Sequence, residues 1–497
     1  MSDRASDPGV VAACDALLAD GGRSLARVAV PWLHALSDHP AATARRAELV
    51  AAAGFGRARL RKAARLARTA ARAAFRREPD GHLDGVGDRD VLLVSHLVDG
   101  HPPAPDRDFY FGALAPALSA ENLSSLTVLR NHVPGPEATL AARVRLDGPH
   151  ARRLLPRVGG LAAEFEAWRT ARDEAAVLAS RARAASDPDA RWAARVAASD
   201  AISEGTLANL RLHRQIRALC RTTRPRAVIV TFEGHAWERI ALHAARSVRP
   251  DILCIAYQHT VLFPGAHGVR RPLGSPYDPD VVLTTGEVNR ARLEADWPRV
   301  IVYGSHRRAA VPLEPAADAS DRVLVVPEGL PSECAVLCDL TWALARRCPD
   351  VEFLARFHPV LPFERLARMV PRLRERPSNV VLSAGSSLAT DASRCRWTLY
   401  RGSSAVFQTV LAGARPLHFR RPGDPDIDPL APMDGWREVV GSADDVHATL
   451  SRDRAVDTGA WIERGADARA FCDRIMEPAD PGVVAALLRL EPTPGRG

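Results

Sequence analysis

Residues 397–413, Trp-Thr-Leu-Tyr-Arg-Gly-Ser-Ser-Ala-Val-Phe-Gln-Thr-Val-Leu-Ala-Gly, pass from one apolar run through a glycine and two serines into another. The first run reads as a buried strand ending at Tyr400. Gly402 permits a tight turn, and Ser403 or Ser404 opens a helix that runs to about Ala412 and stops at Gly413. Such a unit gathers backbone N–H groups, two hydroxyls and the positive end of a helix at one point, which is the chemistry that holds a phosphate. Plain serine capping accounts for the same residues, and the segment alone does not separate the two.

Working outward, strand-like runs recur at 322–326, 351–356, 379–382 and 415–419 around this segment, and at 91–95, 125–130, 227–232, 252–257, 280–284 and 300–303 before it. These runs are continuous in apolar residues rather than alternating, and helix-like stretches separate several of them, so each set predicts a parallel sheet covered on both faces. The expected class is α/β, with two doubly wound domains and a cleft between the carboxyl ends of their strands. Expected boundaries are a helical N-terminal appendage over 1–88, a first domain over 89–311, a second over 322–464 and a helical tail over 465–497. The Ala/Arg/Glu-rich stretch of about 138–224 reads as a helical insertion in the first domain, and the Pro/Ala/Asp-rich 312–321 as the linker.

Three further segments fall at strand ends. Arg356-Phe357-His358-Pro359 follows 351–356; Pro359 bars helical geometry at His358 and should hold its ring at the cleft with Arg356 nearby, unless the histidine is only a loop residue. Glu328 and Gly329 end the first strand of that domain, either as a nucleotide-side loop or as a plain βα turn. In the first domain, Glu233 and Gly234 end the run 227–232, where a carboxylate is placed to take a proton from a hydroxyl, or to serve a helix terminus or a buried hydrogen bond. His259, after 252–257, is a second candidate base or acceptor contact, or simply packs its loop. Aromatic residues in 106–112 shape an acceptor site or belong to the core. Arg401 reaches a phosphate or faces solvent, and Asp424, Asp426 and Asp428 read as a turn-rich loop rather than a metal site.

The stretch 322–420, with its Pro327-Glu328-Gly329 loop, Arg356-x-His358-Pro359 and Gly402-Ser403-Ser404 in order, resembles GT-B glycosyltransferases of bacterial surface carbohydrates. These carry HP and SS motifs, as in the sialyl-, polysialyl- and Kdo transferases that use CMP-activated sugars. The resemblance implies that His358, Ser403 and Ser404 hold the donor phosphate, with Pro359, Arg356, Gly402, Glu328 and Gly329 around them. It also implies that Glu233 acts as base, although those families carry two acidic residues before the glycine and here Phe232 fills the first position. The implied activity is transfer of a Kdo- or sialic-acid-like sugar from a CMP donor to a glycan or lipid-linked acceptor. Similar motifs occur in glycerol- and ribitol-phosphate polymerases, so CDP-glycerol-type phosphotransfer is the second reading; a non-catalytic nucleotide- or glycan-binding protein is the third. The implied substrates are a nucleotide sugar and a glycan, with no separate cofactor and no metal.

Composition narrows the partners. Apolar residues make up 46% and charged residues 25% of the 497, the balance of a folded soluble protein. The net charge of +8 comes from residues 57–77, which hold nine basic and no acidic residues; the rest is close to neutral, so no nucleic-acid surface is expected. That segment reads as a solvated helix face or a peripheral contact with anionic lipid. Lys62 is the only lysine, which excludes a Walker-type phosphate loop and disfavours Schiff-base chemistry. The eight scattered cysteines fit a reduced, cytoplasmic setting, and no run approaches a membrane span.

Overall fold

Seven strands of the first half form one sheet: β1 (Val91–Leu97), β2 (Ser125–Asn131), β3 (His150–Leu154), β4 (Ala227–Thr231), β5 (Leu253–Gln258), β6 (Val281–Thr284) and β7 (Val300–Val302). Six more form another: β8 (Ser320–Val325), β9 (Glu352–Ala355), β10 (Val380–Leu382), β11 (Cys395–Tyr400), β12 (Arg415–Phe419) and β13 (Glu438–Val440). The strand orders are β3-β2-β1-β4-β5-β6-β7 and β10-β9-β8-β11-β12-β13, with every pairing parallel. The computed structural model describes residues 8–34, 85–98, 104–263, 265–308, 320–424, 426–433 and 435–490, with position 69. The basic segment 57–77, apart from that position, and the linker 312–319 lie outside them.

The two-domain α/β class expected from the apolar runs is the one observed. Chain direction reverses across each sheet at one place, between β1 and β4 in the first and between β8 and β11 in the second. Ligands of open α/β sheets bind outside the strand ends at such switch points. The residues that follow β4, β8 and β11 are therefore placed for binding by topology alone.

Two edge strands escape the apolar pattern. β3 reads His-Ala-Arg-Arg-Leu, inside the stretch expected to be helical, yet Arg152 and Arg153 are buried. Their guanidinium groups donate to backbone carbonyls: Arg152 to those of Val144 and Ala104 at 3.1 and 2.9 Å, Arg153 to that of Leu146 at 2.8 Å. Charge satisfied by peptide oxygens leaves the aliphatic stems free to pack. β13 is three residues long with Val439 exposed, too short for any period to show.

The described part of the N-terminal stretch and the helices that follow β3 share a single core. Pro8–Ala19, Leu25–Val28, Leu161–Ala184 and Pro188–Ala201 pack together around Leu18, Trp32, Ala171, Leu178 and Ala197. Buried Arg27 ties them, donating to Glu174 at 2.6 Å and Asp20 at 3.0 Å. At the other end, Cys472 and Ile475 of helix Ala466–Ile475 belong to the second domain's core, while Val484, Leu487 and Leu488 of helix Gly482–Leu490 pack on the first sheet with Leu93 and Ile229. The chain thus crosses back between domains. Ser305 N–H donates to Glu477 O at 2.7 Å, and Gly304, at φ +86°, lies so close to Pro478 that a Cβ would stand 2.1 Å from its carbonyl oxygen. Among the described residues no helix is long and apolar enough to cross a membrane.

Candidate functional site

The loops leaving β8, β9 and β11 touch one another. A Cβ on Gly402 would stand 2.8 Å from Glu328 Oε2, and one on Gly329 would stand 3.6 Å from His358 Nδ1. Glu328, Gly329, His358 and Gly402 are thus brought together at the second switch point. His358 is exposed ahead of Pro359, and its Nδ1 accepts the Val360 N–H at 3.2 Å, which sets the ring in the turn. Ser404 occupies the position before helix Ala405–Leu411, but with helical backbone angles and no side-chain capping bond. The capping expected of Ser403 and Ser404 is therefore not made: neither hydroxyl carries a hydrogen bond among the described residues, so both remain available to a ligand. Gly413, at φ +89°, ends the helix as its position predicts.

In the first domain the loop Phe232–His235 is fixed from below by Glu238. Its carboxylate accepts the backbone N–H groups of Glu233, Gly234 and His235 at 2.9, 2.8 and 2.8 Å, and completes a capping box for helix Ala236–Arg246. The helix-terminus role open to Glu233 thus falls to Glu238, and the partly exposed Glu233 side chain bonds His235 instead. Gly234 has φ +84°, and a Cβ there would stand 2.0 Å from the Gly268 carbonyl carbon, so no other residue fits. Phe232 is fully buried against Trp297 and beneath Arg239. An acid at that position would enter the core rather than the cleft, a physical reason why only one carboxylate is presented.

Glu233 Oε2 and His235 Nε2 are 3.0 Å apart, their side chains 37% and 50% exposed. Burial pushes the Glu233 carboxyl up, but the hydrogen bond and charge of His235, with His259 and Thr260, outweigh it and hold the group well below the usual range. Burial likewise lowers His235, yet its bond to Glu233 prevails and raises it to about 9. His259 is 8% exposed and brought down to about 4, chiefly by burial, so it is neutral at pH 7. Its Nδ1 is buried with no hydrogen-bond partner among the described residues, where buried polar atoms normally have one. Nitrogen-15 NMR of labelled histidine should show a His235 midpoint near 9 that falls in Glu233→Gln. A wild-type midpoint at 6.5 would dissolve the pair.

Sequence reasoning missed several neighbours. His96, at the end of β1, shares a hydrogen bond with His132 at 2.9 Å and packs edge-on against Tyr110 and Trp237. Tyr110 in turn packs on His259 at 4.8 Å, whereas Phe111 takes the core role, one of the two expected of the aromatic segment. Arg307 lies over Phe109 at 5.2 Å, and its carbonyl accepts from Gln408 of helix Ala405–Leu411 at 3.4 Å. Val261, two residues past His259, packs against the second domain's core. The segments of His259 and Arg307 therefore meet the second domain, the latter at the helix that follows Ser403–Ser404. The Ser305-His306-Arg307-Arg308 run was the available signal for Arg307.

Other residues are placed differently from expectation. Arg356 does not stand beside His358 on the cleft: its guanidinium turns to Asp391 at 2.7 Å and Ser383 at 3.1 Å, because a buried carboxylate holds it there. Arg401 neither reaches the cleft nor faces solvent. It is buried and paired with Glu333 at 2.7 Å and Asp424 at 2.9 Å. Asp426 faces Arg420, and Asp428 accepts from Tyr400 Oη at 2.8 Å and Arg437 at 2.5 Å, so the three aspartates share no partner. No group of His, Cys, Asp and Glu among the described residues has a metal-holding arrangement.

Two Rossmann-like domains that face each other across a cleft, tied by a C-terminal helix that returns to the first, define the GT-B architecture. No family model and no curated protein matches the chain. Solved structures similar to it include the glycotransferase of kitacinnamycin, at 14% identity over 82% of this chain and 100% of that one, with a TM-score of 0.47. The α,α-trehalose 6-phosphate synthase of Burkholderia multivorans is similar at 15% identity over 81% and 96%, with a TM-score of 0.45. A UDP-GlcNAc 2-epimerase from Neisseria meningitidis bound to UDP-GlcNAc stands at the same distance, 13% over 80% and 99%, TM-score 0.46. Transferases and an epimerase at one distance do not select a reaction.

Proposed function

We propose that the protein is a glycosyltransferase that moves a sugar from a nucleotide-activated donor, held at the ends of β8, β9 and β11, to a hydroxyl of an acceptor held near Glu233 and His259. The observation that carries this reading is a pair of serine hydroxyls without hydrogen bonds among the described residues, in the loop that meets Glu328, Gly329 and His358, together with a Glu233–His235 pair and an unpartnered His259 nitrogen at strand ends of the other domain. In the reaction the acceptor oxygen bonds the anomeric carbon, the bond from that carbon to the phosphate oxygen breaks, and its electron pair leaves on the nucleotide. Ser403, Ser404 and His358 meet the charge gained there. Glu233 receives the acceptor proton. The HP and SS resemblance favours a CMP-linked Kdo- or sialic-acid-like donor and a bacterial surface glycan as acceptor, with CDP-glycerol-type phosphotransfer as the competing reaction.

A thermal-shift panel of CMP, CDP, UDP, GDP and ADP tests the donor side, because a ligand bound only to the native state raises Tm by mass action. At about 100 times its Kd, a bound nucleotide adds about 2.7 kcal/mol. CMP should stabilise the wild type and lose that effect in His358→Ala and in Ser403→Ala/Ser404→Ala. Stabilisation by UDP or GDP instead would keep the site and replace the donor. No response to any nucleotide would overturn the reading.

A further inference from the structure

Helix Leu161–Ala184 buries one side, through Ala167, Ala171, Leu178 and Ala182. Its outward side should then be polar, yet Leu161 is 51% and Phe165 63% exposed on its first two turns. The Phe165 ring is 5.9 Å from that of half-buried Trp168, and the Arg172 guanidinium lies over Trp168 at 5.6 Å. Among the described residues nothing covers this apolar tip.

Beside it runs a groove of about 560 Å³, walled by the Pro156–Gly160 loop and by helix Glu204–Thr223. Arg214, Arg217 and Arg221 line it at successive turns of that helix. Arg214 pairs with Glu166, while Arg217 Nε is buried without a hydrogen-bond partner among the described residues. Arg211 also lines it, paired with Glu164 at 2.6 Å, and Arg169 and Arg172 stand on the helix of the tip itself, so these six arginines stand against Glu164, Glu166 and Asp173.

We propose that this face docks on an anionic bilayer surface. Phe165 and Leu161 project singly from a helix end rather than framing a pocket, the form that enters the headgroup boundary, and flanking arginines meet lipid phosphates. The chain's own basic segment 57–77 is excluded as occupant, because its nine cations would meet the arginine groove with like charge. Two side chains and a few cations make reversible contact, and the docking holds whatever reaction the cleft performs.

Flotation of the full chain with vesicles tests this directly. The protein should float with phosphatidylcholine vesicles containing about 30% phosphatidylglycerol, not with phosphatidylcholine alone, and should dissociate at high salt. Leu161→Ser/Phe165→Ser and Arg217→Gln/Arg221→Gln should each weaken partitioning roughly tenfold or more, at about fivefold per arginine, with unchanged circular dichroism. No binding of the wild type to either vesicle overturns the proposal and leaves a protein partner for this face. Equal binding by wild type and both double variants overturns it as well, and assigns the contact to another part such as 57–77.

Discussion

Arg401→Met should destabilise the second domain by about 3 kcal/mol, the cost of stranding the buried Glu333 carboxylate without its cation, since Asp424 keeps Arg421 at 3.0 Å. Arg401 is 3% exposed and donates to Glu333 through Nε and Nη2 at 2.9 and 2.7 Å, and through Nη1 to Asp424 at 2.9 Å and to the Phe419 carbonyl at 3.2 Å. The methionine restores the packing of the stem but leaves Glu333, itself 7% exposed, facing apolar surroundings. Adding Glu333→Leu should recover a good part of the loss, because removing both charges avoids the unpaired one. Chemical denaturation, following the transition of the second domain, measures both. A cost under about 1 kcal/mol would class the pair with exposed ion pairs and refute its structural weight. Arg401 also precedes Gly402 and joins β11 to the Asp424 loop, so the folded fraction of the variant should bind nucleotide more weakly.

The architecture was legible in the sequence because parallel strands buried on both faces show as unbroken apolar runs: every interior strand of both sheets lies within a residue or two of such a run. What escaped was at the edges. β3 carried its two arginines into the sheet by giving their N–H groups to peptide oxygens, a solution no pattern of residue types displays. The site was legible to the extent that strand ends mark it. Glu328, Gly329, His358, Gly402 and Glu233 were found that way, and the structure places all of them at or beside a switch point. Orientation was not legible. Arg356 and Arg401 both sit at strand ends, yet each turns away to a buried acid distant in sequence, Asp391 and Glu333. Glu238 was likewise hidden, since its role as clamp of the Glu233 loop exists only once three N–H groups converge.

Glu233→Gln should lower turnover by about 10²–10⁴-fold, the range for a lost general base, while the stabilisation given by bound nucleotide stays as in wild type. The substitution is isosteric and leaves the loop clamp intact, because Glu238 bonds the backbone of this segment and not the Glu233 side chain. A carboxyl held below its usual range by His235 is ionised throughout the neutral pH range but is a weak base. That weakness is tolerable only if the proton moves late, after the acceptor oxygen has begun to bond carbon and its own acidity has risen steeply. The acid limb of the rate profile should therefore owe nothing to Glu233 above pH 4.5. On the alkaline side the pair opens as His235 loses its proton near pH 9. His235→Asn separates the two contributions: removing the imidazolium lets the Glu233 pKa rise, and an acid limb should appear that the wild type lacks. If Glu233→Gln keeps full activity and His259→Asn abolishes it, the unpartnered Nδ1 of His259 is the base and Glu233 only tunes its neighbour. If both keep full activity, neither residue is the base, and the assignment of the acceptor proton to this domain fails.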